Sequence, residues 1–462
     1  MTYRTRRFFK TLSVIIVVIV LIFSCTLAGY IIYEAVGARP KRGIIIVTAL
    51  LSGGLIETAE DGTETVAWDP IPIDEFPIQD VLRDDGSVDI ELALEVVTDA
   101  VNSSGSNLFA MISPLLSALE VDRVTGESVK NIRPATMSDV SHVRYGVLNA
   151  YKETFDMLSA RYGGTAEVSV FNYDWRLSND LSAEMLENYI NENGYDEVVL
   201  TSHSMGGNVV AGYLARSASN REKVKLYCAY APSFLGSVDA LAYLEDPSLI
   251  LGMLGDVDLG GMQGMVEEFI RNVAGNLLRS MPSITELLPS PYLMTSKQYS
   301  TDSPMITVDG KAIETPEELI EFYLSRPWSE TENGETAYMF RTEENGKSRL
   351  ENFFESAYVE TDTGRVHSTE LVNTVYFVGT GVRGVERAAF VTDPATGEVV
   401  LDRTYTSLRG DNMILEYSAT AGLGTNAENV AVYEGQGHHV VGIKFEKVLS
   451  ERTFLEIDKV FG

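Results

Sequence analysis

The residues best suited to chemistry lie in one stretch, residues 198–207, which reads VVLTSHSMGG. An apolar, β-branched run at 198–201 predicts a buried strand. Residues 208–216 place Val209, Val210, Tyr213 and Leu214 at helical spacing. Ser204 stands at the sharp turn between them. A strand–turn–helix unit of this kind exposes the serine oxygen at the carboxyl end of the strand, and the helix N-terminus behind it favours developing negative charge. The usual pattern is G-x-S-x-G; here Ser202 replaces the first glycine and Gly206 keeps the second.

A serine hydroxyl is a poor nucleophile until a base takes its proton, and the base needs an orienting carboxylate. The five histidines are His142, His203, His367, His438 and His439. In α/β-hydrolases the partners follow the serine in the order acid, then histidine, each at the end of a different strand. Only His438 and His439 follow a plausible acid near the C-terminus. His438, behind a glycine at a strand end, is the preferred base, and His439 is expected to point elsewhere. Asp393, Asp402 and Asp411 compete as the acid. Asp393 precedes a proline and Asp402 lies in a charged run, whereas Asp411 follows a glycine in a turn before the last core strand. Asp411 is therefore the expected acid. The backbone N–H of Met205 is the expected oxyanion donor after the nucleophile. The second donor is expected on the glycine-containing loop after an early strand, at Leu50, with Leu51 as its neighbour in contention.

These residues need a scaffold, and the chain supplies a βαβ alternation. Strands are predicted at 43–48, 167–172, 198–201, 224–230, 371–379 and 429–433, and helices at 145–161 and 181–193. The alternation implies an α/β fold with a mainly parallel central sheet. Residues 57–139 read as an insertion without chemistry, including amphipathic helices at 90–101 and 108–119. Residues 238–369 lack strand–helix alternation and read as a cap, with flexible apolar side chains and glycines at 249–265 suited to a mobile lid. Residues 37–237 and 370–462 are then the two parts of the core. A hairpin arm is expected at 399–406.

Composition narrows the class. The 462 residues carry a net charge of -30, which argues against nucleic acid as a partner. Two cysteines preclude a cysteine metal cluster, and no His-x-x-x-His pair marks a zinc hydrolase. No metal or cofactor is expected. Residues 1–10 are basic, and residues 11–33 form an uncharged run of about 35 Å as a helix, enough to cross a hydrocarbon core of roughly 30 Å. That length favours an uncleaved transmembrane anchor (residues 11–36) over a signal peptide. The expected arrangement is a single pass with a cytoplasmic N-terminus and the catalytic body outside. The sequence carries no signal of oligomeric state.

Several motifs resemble the lecithin:cholesterol acyltransferase family of α/β-hydrolases. Tyr173-Asp174-Trp175-Arg176 is similar to its Tyr-Asp-Trp-Arg signature. The segment 231–237, APSFLGS, resembles its Thr-Pro-x-x-Gly-Ser segment, and 280–289, SMPSITELLP, its Pro-Ser-x-x-x-Leu-Leu-Pro cap motif. The segment 409–414, RGDNMI, is similar to its Gly-Asp-Gly-Thr-Val acid loop. The likeness runs over roughly residues 43–441. It departs at Thr48-Ala49, where the family has Pro-Gly, and at Asn412-Met413, where it has Gly-Thr. The resemblance implies an α/β-hydrolase fold with an inserted cap. It also implies a lipid ester substrate, an acyl-serine intermediate, and transfer of the acyl group to water or an alcohol. The alternative is a non-enzymatic binding or structural protein on a decayed hydrolase fold. Retention of Ser204, Asp411 and His438 in the correct order favours the enzyme.

Overall fold

The computed structural model describes residues 40–68, 118–139, 151–249, 264, 267–268, 270–296, 298–299, 303–434, 439 and 447–462. The chain divides into residues 1–42 and 43–462, and the second unit carries the elements that position the site. The expected anchor at 11–36, the helix at 90–101, most of that at 108–119, the lid stretch 250–263 and His438 all lie outside the described residues. Among the described residues no helix is long and apolar enough to cross a membrane.

The first strand, β1 (Arg42–Val47), is a Gly-Ile-Ile-Ile-Val run buried throughout. Three short antiparallel strands follow, β2 (Leu55–Thr58), β3 (Glu64–Trp68) and β4 (Ile132–Pro134), in the order β3-β2-β4. They give part of the insertion a sheet that the sequence did not suggest. Helix α1 (Lys152–Tyr162) leads to β5 (Glu167–Phe171), and α2 (Asn179–Glu192) to β6 (Glu197–His203). The start of α2 is set by Ser178, whose hydroxyl accepts the N–H of Asp180. Helix α3 (Gly206–Arg216) and β7 (Val224–Tyr230) complete the alternation.

Between residues 238 and 369 lie α4 (Val238–Glu245), the short strands β8 (Ile306–Val308) and β9 (Lys311–Ala312), α5 (Pro316–Leu324), α6 (Arg349–Ser356) and the hairpin β10 (Tyr358–Thr361) and β11 (Gly364–His367). The chain then returns to the main sheet as β12 (Thr374–Thr380). It leaves again as a long hairpin, β13 (Val382–Thr392) and β14 (Val399–Gly410), and closes with β15 (Val430–Glu434) and α7 (Lys447–Phe461). The expected arm at 399–406 is thus a 12-residue strand. The hairpin does not join the core sheet: it forms a second sheet, β14-β13-β8-β9, with strands from the segment read as cap. Strands as short as β8 and β9 leave no periodic signal, so this pairing was not legible.

The main sheet has six strands in the order β15-β12-β7-β6-β1-β5, and β1–β5, β6–β7, β7–β12 and β12–β15 are parallel. Apolar clusters lie on both faces. Ile45, Val47, Val198 and Leu200 belong to one, and Ile44, Ile46, Val199 and Leu226 to the other. That division is the period-two alternation expected of strands buried on both sides.

Candidate active site

Ser204 follows β6 directly and has φ 52°, a left-handed conformation that non-glycine residues seldom adopt. Its amide donates to the Tyr230 carbonyl at the end of β7, and its own carbonyl accepts from Gly207, so the turn is held from both sides. Gly206 is required by space. A Cβ there would lie 2.4 Å from the Thr48 carbonyl oxygen, so a side chain would push the β1 end away from the serine turn. Ser202, in place of the usual glycine, has a role of its own: its hydroxyl and that of Tyr227 are 2.6 Å apart, tying β6 to β7.

The structure brings Ser204, Asp411 and His439 together. The Nε2 of His439 lies 2.7 Å from the Ser204 hydroxyl, and its Nδ1 lies 3.0 Å from the Asp411 carboxylate. A carboxylate only accepts, so Nδ1 carries the proton and Nε2 accepts from the serine. The preferred base was His438. His438 lies outside the described residues; the histidine found at the serine is its neighbour His439, whose amide donates to the Asp411 carbonyl at 2.7 Å and so holds that residue at the site.

Asp411 closes β14 and is buried, and its second oxygen accepts the amides of Met413 (3.2 Å) and Ile414 (2.9 Å). Asn412, where the family has glycine, takes φ 89°, a conformation asparagine tolerates better than most residues. The rejected acids sit on the distant hairpin: Asp393 caps its turn through the Ala395 amide, and Asp402 pairs with Arg403.

His203 was not singled out from the sequence. It is buried, and its Nε2 donates to the His439 carbonyl at 3.0 Å while the two rings lie 4.9 Å apart. Burial, and then the neighbouring His439, push its pKa down to about 3, so the ring is neutral. His439 is therefore held at its amide, its carbonyl and both ring nitrogens.

On the oxyanion side, Met205 leads into α3, and Leu50 lies half-buried in the loop after β1. The amide just before it, at Ala49, is occupied by the Ser52 hydroxyl and the Tyr151 hydroxyl, both at 2.8 Å.

The motif residues interlock beside this site. Tyr173, Trp175 and Arg176 are fully buried, and Arg176 forms a two-point pair with Asp174 at 2.9 and 2.6 Å. The Arg176 carbonyl accepts from Ser283 of the SMPSITELLP segment. Glu286 of the same segment accepts from the Ser178 hydroxyl and from the Asn179 backbone and side-chain amides at the head of α2. Burial, together with Asp180 nearby, pushes the Glu286 carboxyl up to about 8. Ser237 and Leu235 of the APSFLGS segment bond to Leu287 and Ser290. Three motifs far apart in sequence are thus one packed unit. Among the described residues no group of three or more histidine, cysteine or acidic side chains could hold a metal ion.

A serine on a strained turn, with an aspartate and a histidine from later strand ends meeting it over a parallel sheet, defines the α/β-hydrolase class. Within it, residues 130–339 match the family model described as lecithin:cholesterol acyltransferase, the family that the sequence motifs resemble. No curated protein sequence matches the chain significantly. Solved structures similar to it include the Tle4-Tli4 complex, with 12% identity over 92% of this chain and 99% of that one and a TM-score of 0.46. The carboxylesterase CesB (YbfK) from Bacillus subtilis is 10% identical over 64% of this chain and 76% of its own, with a TM-score of 0.27. A monoacylglycerol lipase from Paleococcus ferrophilus is 15% identical over 37% of this chain and 73% of its own, with a TM-score of 0.17.

Proposed function

We propose that this chain is a serine lipase, phospholipase or O-acyltransferase that acts on a lipid ester and is held at a membrane by residues 11–36, its catalytic body extracytoplasmic. The observation that carries the chemistry is the 2.7 Å approach of His439 Nε2 to the Ser204 hydroxyl, with Nδ1 on Asp411. The family match supports an ester hydrolase or acyltransferase as the reaction class.

Ser204 Oγ attacks the ester carbonyl carbon as His439 Nε2 takes the hydroxyl proton. The carbonyl π electrons move onto oxygen, and the N–H groups of Met205 and Leu50 stabilise that oxyanion. Collapse restores the carbonyl, breaks the bond to the alcohol oxygen, and returns the proton from His439 to the leaving alcohol. The acyl-serine is then attacked by water or a second alcohol, deprotonated by the same Nε2, which frees Ser204 and yields an acid or a new ester. Asp411 keeps the proton on Nδ1 and stabilises the imidazolium formed in each half-reaction. Residues 238–369 act as the cap that shields the acyl-enzyme from water, which an acyl transfer to an alcohol requires.

Labelling with a fluorophosphonate probe tests the reading. The full-length protein should be labelled once, and Ser204→Ala should abolish labelling with an unchanged melting temperature. Labelling that survives in Ser204→Ala would overturn it.

A further inference from the structure

The loop of residues 48–55 carries the Leu50 amide, and the inference here rests on the oxyanion role proposed for it. A trans peptide points its N–H opposite to the preceding carbonyl. The carbonyl paired with the Leu50 N–H is that of Ala49, which accepts from the Ser52 hydroxyl at 2.7 Å and the Ser52 amide at 3.3 Å. The Ser52 hydroxyl is in turn 2.9 Å from that of Tyr151. Ser52 therefore turns the Ala49 carbonyl inward and the Leu50 N–H outward.

The rest of the loop is held from outside. The Trp68 indole N–H donates to the Leu51 carbonyl at 2.8 Å, and the Trp175 indole N–H to the Gly53 carbonyl at 3.0 Å. Asn172 donates to the Gly54 carbonyl at 2.8 Å and accepts from the Thr48 hydroxyl at 3.3 Å. The two indoles meet edge to face, centroids 5.7 Å apart. A Cβ on Gly53 would fall 1.7 Å from the Asn172 side-chain oxygen, so the loop closes directly on that amide. Leu51 is held at φ 61° and is 45% exposed. A strained conformation of this kind persists where its surroundings over-determine it, and here the bonds on either side of Leu51 do so.

We infer that Ser52, Trp68 and Trp175 are positioning residues that fix the Leu50 amide as a preorganised oxyanion donor. This gives the Tyr-Asp-Trp-Arg motif a part in catalysis through Trp175, and gives residues 64–68 of the insertion the same task through Trp68.

The test uses the full-length protein and a soluble p-nitrophenyl ester. Losing an oxyanion donor costs on the order of 10²–10³ in kcat, so misaiming one should cost about tenfold or more. Ser52→Ala, Trp68→Phe and Trp175→Phe should each lower kcat by about that factor with KM within twofold, and Ser52→Thr should restore most of it. Affinity for a trifluoromethyl ketone, which forms a tetrahedral adduct on the serine, should fall in step with kcat/KM. The apparent pKa of the pH–rate profile should stay that of wild type, because His439 and Asp411 are untouched. Trp68→Phe, at a half-buried position, keeps the test open if Trp175→Phe fails to fold. Wild-type kcat and ketone affinity in folded Ser52→Ala and Trp68→Phe would overturn the inference alone. A wild-type protein that neither hydrolyses the ester nor reacts with a fluorophosphonate would overturn it together with the proposed function.

Discussion

His438 and His439 are adjacent in sequence, and separate substitution of each gives opposite expectations. In the proposed mechanism His439, 2.7 Å from the Ser204 hydroxyl and oriented by Asp411, is the base, so His439→Ala should remove proton transfer in both half-reactions. Loss of one member of such a triad costs about 10⁴ or more in kcat, or roughly 5.4 kcal/mol of transition-state stabilisation at 1.36 kcal/mol per tenfold. Asp411→Asn keeps the shape but presents an N–H or a weaker acceptor to Nδ1, favouring the wrong tautomer, and should cost about 10⁴. The double substitution should be little worse than either one, because the residues act as a unit. His438→Ala should leave kcat within about fivefold. The assay is steady-state hydrolysis of a soluble ester with active-site titration, so that folded fraction and turnover are separated. Greater loss in His438→Ala than in His439→Ala, at equal folded fraction, would refute the reasoning from the Asp411 backbone.

Asp174→Asn strips the charge partner from the fully buried Arg176 and should destabilise the protein by about 3–5 kcal/mol, read from urea unfolding. Acid should destabilise the fold through His203 and His367, both of which burial pushes down to about 3. Below about pH 6.5 the unfolded chain binds protons that the folded chain does not, so stability falls as pH drops toward 3. His367→Gln should reduce that slope by about 1.4 kcal/mol per pH unit, measured as unfolding free energy against pH. Deleting residues 1–36 should release the body from membranes in a flotation assay without lowering kcat on a soluble ester; continued flotation would refute the proposed anchor.

The main sheet was legible because its strands are mostly apolar runs buried on both faces, as at Val224–Tyr230, where expected and observed bounds coincide. The serine turn was legible because strand and helix patterns change within a few residues. Asp411 was legible from a local signal, a glycine and turn ahead of a core strand. The choice between His438 and His439 was not, because the bonds that decide it join His439 to Asp411 and to His203, 28 and 236 residues away. The same distance in sequence hid the sheet formed by β8, β9, β13 and β14, and the carbonyl held by Trp68.

The departures from the family pattern have local physical compensation. A proline at position 48 would lack the N–H that Thr48 donates to Phe171 at 3.2 Å, which extends the β1–β5 ladder one residue toward the site. Threonine also adds the hydroxyl that reaches Asn172, and alanine at 49 keeps an amide already shared by Ser52 and Tyr151. The Thr48-Ala49 pair therefore couples the loop to β5, α1 and Asn172 through side-chain and ladder bonds. At Asn412 the exchange for glycine keeps the left-handed turn through which Asp411 accepts the amides of Met413 and Ile414. Thr48-Ala49 lead into the left-handed Leu51 and Asn412 is itself left-handed, and in both places the replacing residues make or preserve the bonds that hold the turn. That pattern fits a site kept under geometric constraint better than one left to decay, since the strained Leu51 and the histidine fixed at both ring nitrogens persist only where their surroundings hold them.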